Sequence, residues 1–341
     1  MSRIAHLCLR AISFCAFLVA AVPAHARIGL VVGEPFGSFG TMMPVGHAGI
    51  YLDHLCAETP TQLRPCRPGE LGVVISRYHD LRASHLDWMA VPAYTFFYGV
   101  SSPDQLPTFI TPSTEAELRE SYRQANLLSI VPDRIDKHGH VHRPPYGDWE
   151  EAIGAAFDRR LFVYTLDTTP EQDAAILTYL NTDPNQRRYT LGRNNCADFA
   201  ANILSLVIPA PFRRNVLADF DMTTPKNVAR QLDTWGATHP EANLTAYQIP
   251  QTPGTLRRSR PLRGSAETFV KTKRYLFTLL VLQPEVLLAD WILYESKGKW
   301  TLGTDALLLT PGALPSLTVF AYSPASTSSS NASEPSGLLA K

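Results

Sequence analysis

The chain has 341 residues, 45% of them hydrophobic and 18% charged, with 31 basic against 31 acidic side chains. That balance supports a sizeable core and excludes wholesale disorder, and the lack of any Lys/Arg-rich block argues against a nucleic-acid partner. Proline outnumbers glycine, 27 to 20, and nothing repeats at a fixed period, so a helical bundle or repeat array is disfavoured.

Residues 1–26 read as a cleavable export leader. Arg3 and Arg10 supply the positive region, Ala11 to Val22 carries no charge, and Ala24-His25-Ala26 offers an Ala-x-Ala site. The apolar run is too short to span a bilayer, and Phe14 before Cys15 is a poor lipoprotein signal. Cleavage places the mature protein in a periplasmic or extracellular compartment with three cysteines. Cys56 and Cys66 flank a short polar loop and are expected to be bonded, leaving Cys196 as a free thiol.

Along the mature chain, Ile28 to Val32 reads as a strand. His47 to Leu52 and Gly72 to Tyr78 read as strands on either side of the cysteine loop. His54, just past the first of these, reads as a surface residue. Thr114 with Glu117 predicts a capped helix over Glu115 to Leu127, and a further helix is expected near Trp149 to Phe157. Arg160 to Leu166 alternates as a strand. Thr169-Pro170-Glu171-Gln172 then supplies an N-cap, an N1 proline and a capping glutamine for a helix to Leu180.

Tyr189 to Leu191 reads as a brief strand running into Asn194-Asn195-Cys196. Phe199, Ala200, Ile203, Leu204 and Val207 recur at helical spacing, so a helix starts at Cys196 with Asn194 or Asn195 as its cap. A thiol at the positive end of a helix is biased toward thiolate, and backbone N–H groups there can receive an oxyanion. A buried cysteine packing as a small hydrophobe is the alternative.

Gly46-His47-Ala48-Gly49-Ile50-Tyr51 early and Asn194-Asn195-Cys196-Ala197-Asp198-Phe199-Ala200 late resemble the circularly permuted members of the NlpC-type papain-like superfamily. These include lecithin:retinol acyltransferase-like proteins and domains related to bacterial lipoprotein N-acyltransferases. The resemblance spans about Ile28 to Leu232. It implies an α+β fold, a permuted papain-like domain with an antiparallel sheet packed on helices. It also implies Cys196 as nucleophile and His47 as its base, with no cofactor. The family pattern puts a third, orienting residue on the strand after the histidine strand, where the polar residues are Ser76, Arg77, Tyr78 and His79. None is the usual partner in an obvious place, and Glu58 and Glu70 stand in or beside the loop. Arg77, Tyr78 and Asn195 are taken as orienting or supporting candidates.

His138, His140 and His142 would share one side of an extended segment and form the start of a metal site, although Lys137, Gly139 and Arg143-Pro144-Pro145 are loop-like; no metal is assigned. Residues 27–238 are read as the papain-like domain, 239–263 as a linker, 264–322 as a C-terminal helical extension and 323–341 as a disordered tail. In the extension, Tyr275 to Leu282 and Val286 to Tyr294 are apolar runs split by Gln283-Pro284-Glu285. They are read as a helical hairpin packed on the core, with membrane-surface contact through 275–294 as the alternative. The expected function is an exported cysteine hydrolase or acyltransferase acting on amide or ester bonds of a cell-envelope peptide or lipid. A catalytically inactive papain-like binding or scaffolding protein is the other reading.

Overall fold

The computed structural model describes residues 26–37, 40, 44–81, 86–142, 156–210 and 212–314. The expected leader, the disordered tail and most of the helix expected near Trp149 to Phe157 lie outside these residues. The first strands are β1 (Ala26–Gly33), β2 (His47–Leu52), β3 (Leu55–Thr59), β4 (Gln62–Pro65), β5 (Val73–Leu81) and β6 (Leu86–Pro92). Helices α1 (Ala93–Tyr98) and α2 (Pro112–Tyr122) follow, then a small hairpin of β7 (Arg134–Ile135) and β8 (Val141–His142). Strand β9 (Leu161–Thr168) leads to α3 (Pro170–Thr182), α4 (Cys196–Leu204) and α5 (Pro225–Gly236). The remainder is β10 (Thr245–Ile249), α6 (Ser265–Lys271), α7 (Lys273–Leu282), α8 (Pro284–Leu293) and β11 (Leu307–Leu308).

Seven strands form one sheet in the order β11-β10-β9-β1-β2-β5-β6, antiparallel throughout except between β10 and β11. The fold is therefore α+β, a largely antiparallel sheet packed on helices. Strand β1 lies at its centre, paired from Gly33↔His47 to Ile28↔Leu52 with β2 and from Ala26↔Thr168 to Gly33↔Leu161 with β9. Both faces of β1 are covered, which is why its sequence is continuously apolar rather than alternating. Leu30 and Val32 join a core with Ala48, Ile50, Ile75, Trp88 and the apolar side of α4; Val31 joins another with Tyr51, Val74, Tyr78, Phe96, Phe97 and Phe157.

Cys56 and Cys66 are disulfide-bonded with Cα atoms 4.9 Å apart. The segment they close is itself a two-stranded hairpin, β3 with β4, between β2 and β5. Because the closed loop is short, reducing this bond should lower stability by about 3 kcal/mol on the chain-entropy account. Denaturant unfolding with and without a reductant measures it, and a coincident pair of curves would refute it.

His54 is not the surface residue the sequence suggested. Its side chain sits between two carboxylates, Nδ1 2.8 Å from Asp53 and Nε2 3.0 Å from Asp173, so it ties the end of β2 to α3. Burial opposes its charge, but Asp173 and Asp53 outweigh burial and raise its pKa from 6.5 to about 9. Protonated His54 is thus favoured in the folded state. Its contribution is full below pH 6.5 and is lost as pH rises through about 9. Stability should fall over that window, and His54→Gln should flatten the fall; an unchanged slope in the variant would exclude this clamp.

Other features differ from expectation. Helix α2 starts at Pro112 with Thr111 as its cap, Oγ1 accepting from the Thr114 N–H, because proline at N1 fixes the start earlier. The segment expected as a linker supplies β10, whose Ile249 is buried in the core. Helix α6 docks through Ser265, Ala266, Glu267 and Thr268, with Lys226 paired to Glu267. Beyond it the expected core packing of the hairpin is not found: α7 buries no residue and α8 buries only Asp290.

Candidate active site

Cys196 opens α4, as expected, and Asn195 is the residue that caps it. The Asn195 Oδ1 accepts from the N–H groups of Ala197 (2.8 Å) and Asp198 (2.9 Å), while Asp198 accepts from the Asn195 N–H in return. The Asn195 amide also donates to the carbonyls of Leu191 and Thr223. This cap consumes two of the first-turn N–H groups that might otherwise serve an oxyanion, and Asn195 holds the start of the helix. The preceding segment is no strand: Thr190 and Asn194 pair across a tight turn that delivers the chain to the helix. Apolar Phe199, Ala200, Ile203 and Leu204 then seat α4 on the sheet, as their spacing predicted.

His47 is the first residue of β2 and is 5% exposed. Gly46 before it has φ 72°, a left-handed conformation, and a Cβ there would lie 2.4 Å from the Gly33 carbonyl oxygen; the bend requires glycine. Val45 and Gly46 line a pocket with Tyr189, Asn195, Cys196, Thr223 and Pro225. The thiol and the approach to the histidine strand therefore share one cavity.

Ser76 orients the imidazole. Its Oγ donates to the Ala48 carbonyl at 2.6 Å and lies 2.6 Å from His47 Nε2. A hydroxyl has one proton, and the carbonyl can only accept, so Nε2 must carry the hydrogen and donate to Ser76. Neutral His47 thereby keeps its basic lone pair on Nδ1. Tyr78 stacks on the other side of this arrangement, ring centroids 5.5 Å apart and planes 21° from parallel. Ser76 lies on the expected strand, whereas the partners expected there are Arg77 and Tyr78. Period-two alternation was the available signal, since Ser76 and Tyr78 share a face and Arg77 takes the other.

Arg77 faces α4. Its guanidinium stacks 4.9 Å from the Phe199 ring centroid, donates to Asp87 at 2.8 Å, and donates to the Asn194 side chain. It therefore braces the turn before Cys196. The same alternation sends Ala48 and Ile50 toward α4 and His47 toward Tyr78, on the face of β2 away from that helix, while Val45 and Gly46, which lead into His47, line the cavity with Cys196. Glu58 and Glu70 are engaged elsewhere, both on Arg64.

Replacing Ser76 by alanine removes the acceptor that fixes the His47 tautomer, at about 1 kcal/mol, and should slow any Nδ1-assisted reaction of Cys196 roughly fivefold. Thiol alkylation rates measure this, and an unaltered rate would remove Ser76 from the site.

The three histidines do not line a strand. Gly139 turns the chain at φ 83°, and only His142 lies in β8. Asp136 organises the loop instead, accepting from the N–H groups of His138 and His140, with His140 Nδ1 at 3.1 Å and His142 Nε2 at 3.0 Å. Hydrogen bonding from His142 leads the effects that lower the Asp136 pKa to about 2. Among the described residues, the grouping at metal-ligating distance is Cys56, Cys66 and Glu70, and there both sulfurs are spent in the disulfide.

No protein-family model matches the chain, and no curated protein matches it. Among solved structures it is similar to the Type VI secretion system effector TseH. The two share 14% sequence identity over 65% of this chain and 98% of that one, with a TM-score of 0.29. A superposition that loose carries no argument about site or substrate.

Proposed function

We propose that this protein is an exported cysteine-dependent hydrolase or acyltransferase acting on amide or ester bonds of cell-envelope peptides or lipids. The observation that carries the reading is the shared cavity: Cys196, at the start of α4, lines it with the residues that lead into His47. Ser76 leaves Nδ1 of that histidine as its basic atom. The helix dipole favours a thiolate at Cys196, and Nδ1 is the atom to accept the thiol proton. The thiolate then adds to the substrate carbonyl, the leaving group departs with the proton from His47, and an acyl thioester remains on Cys196. Water or a second nucleophile releases the acyl group. The disulfide supports an oxidising compartment, and no helix among the described residues is long and apolar enough to cross a membrane.

Incubating isolated cell-wall and membrane-lipid fractions with the protein and with Cys196→Ala tests the proposal. Product released by the former and absent with the variant is expected; equal release by both would contradict it.

A further inference from the structure

Among the described residues, the hairpin of α7 and α8 departs furthest from ordinary burial. Phe277 (61% exposed), Val281 (76%), Leu282 (72%), Leu288 (54%), Trp291 (53%) and Ile292 (58%) all stand in solvent. So much apolar surface in one place marks an interaction site. At about 100° per residue, Val286, Leu288, Trp291 and Ile292 point over more than half the circumference of α8. A protein partner covers a stripe; a helix apolar on most sides suits a continuous apolar medium.

Charge selects the medium further. Lys271, Lys273 and Arg274 enter the hairpin and Lys297 and Lys299 leave it, so five cations gather at its root. Lys271 is paired with Glu267 and Lys299 with Glu295, while Lys273, Arg274 and Lys297 have no ion-pair partner among the described residues. The polar residues of the turn, Gln283 and Glu285, oppose insertion tip first, and each ten-residue helix is about 15 Å long, half the hydrocarbon thickness. Lying in the plane of one leaflet keeps the turn and the root cations at headgroup level while the side chains between them enter the acyl region. We infer that the α7–α8 hairpin docks this protein on an anionic membrane surface, seated at the headgroup–acyl boundary. This inference stands independently of the Cys196 reading.

The test uses the full chain with vesicles of phosphatidylcholine, alone or mixed with phosphatidylglycerol, some carrying brominated acyl chains. Residues 1–26 are common to every variant, so the readout is the share of tryptophan quenching that Trp291→Phe removes, together with flotation. Quenching that depends on Trp291 and on phosphatidylglycerol is expected. Val281→Asp/Leu282→Asp and Lys273→Glu/Arg274→Glu should each weaken binding at least tenfold while the thermal midpoint is kept. Quenching unaffected by Trp291→Phe, or equal flotation of the substituted and parent chains, would overturn the inference. So would a lipid-free dimer abolished by Val281→Asp/Leu282→Asp, which would assign the surface to a second copy.

Discussion

Replacing Arg77 by methionine is expected to destabilise the protein by about 3–5 kcal/mol, the usual result of removing one partner from a buried ion pair. Arg77 and Asp87 are 1% and 2% exposed at the side chain, and their contact is 2.8 Å. Burial already pushes the Asp87 pKa up, with the Arg77 charge holding it back; without Arg77 nothing so close opposes that push. The double change Arg77→Met/Asp87→Leu should recover most of the loss, since no uncompensated charge then remains. Urea unfolding of the two variants decides it. A single variant as stable as the parent would mean that the pair is not the brace it looks to be. Because Arg77 also holds Asn194, the single variant should loosen the turn before Cys196 as well.

Most of the sheet was legible because its strands are apolar and bounded by glycine and proline. The α3 cap was legible too, since a Thr-Pro-x-Gln sequence states its own hydrogen bonds, and Thr169 and Gln172 form them. The cysteine pairing and the start of α4 followed from local spacing. What escaped depended on contacts distant in sequence. His54 looked exposed until Asp173, more than a hundred residues away, closed on it. Ser76 looked ordinary until β2 and β5 were in register beside each other. The α7–α8 pair was placed on the core for another reason: apolarity predicts removal from water without saying by what, and these side chains stand exposed in the fold.

The second large effect concerns the thiol. With His47 acting on it, Cys196 should react with a small alkylating agent through a thiolate that forms below the ordinary thiol range near pH 8.5. His47→Ala should move that profile up toward the free-thiol value and slow alkylation at neutral pH at least tenfold. The expected size follows from losing a charge partner worth about one pKa step or more.

The pH–rate profile of Cys196 alkylation, measured side by side in the parent chain, in His47→Ala and in Ser76→Ala, therefore tests the site directly. The account predicts a low-pH profile in the parent, an upward displacement in His47→Ala and a smaller one in Ser76→Ala. Three superimposable profiles would show that the imidazole does not reach the thiol around the start of β2, and would contradict a cysteine–histidine catalytic pair.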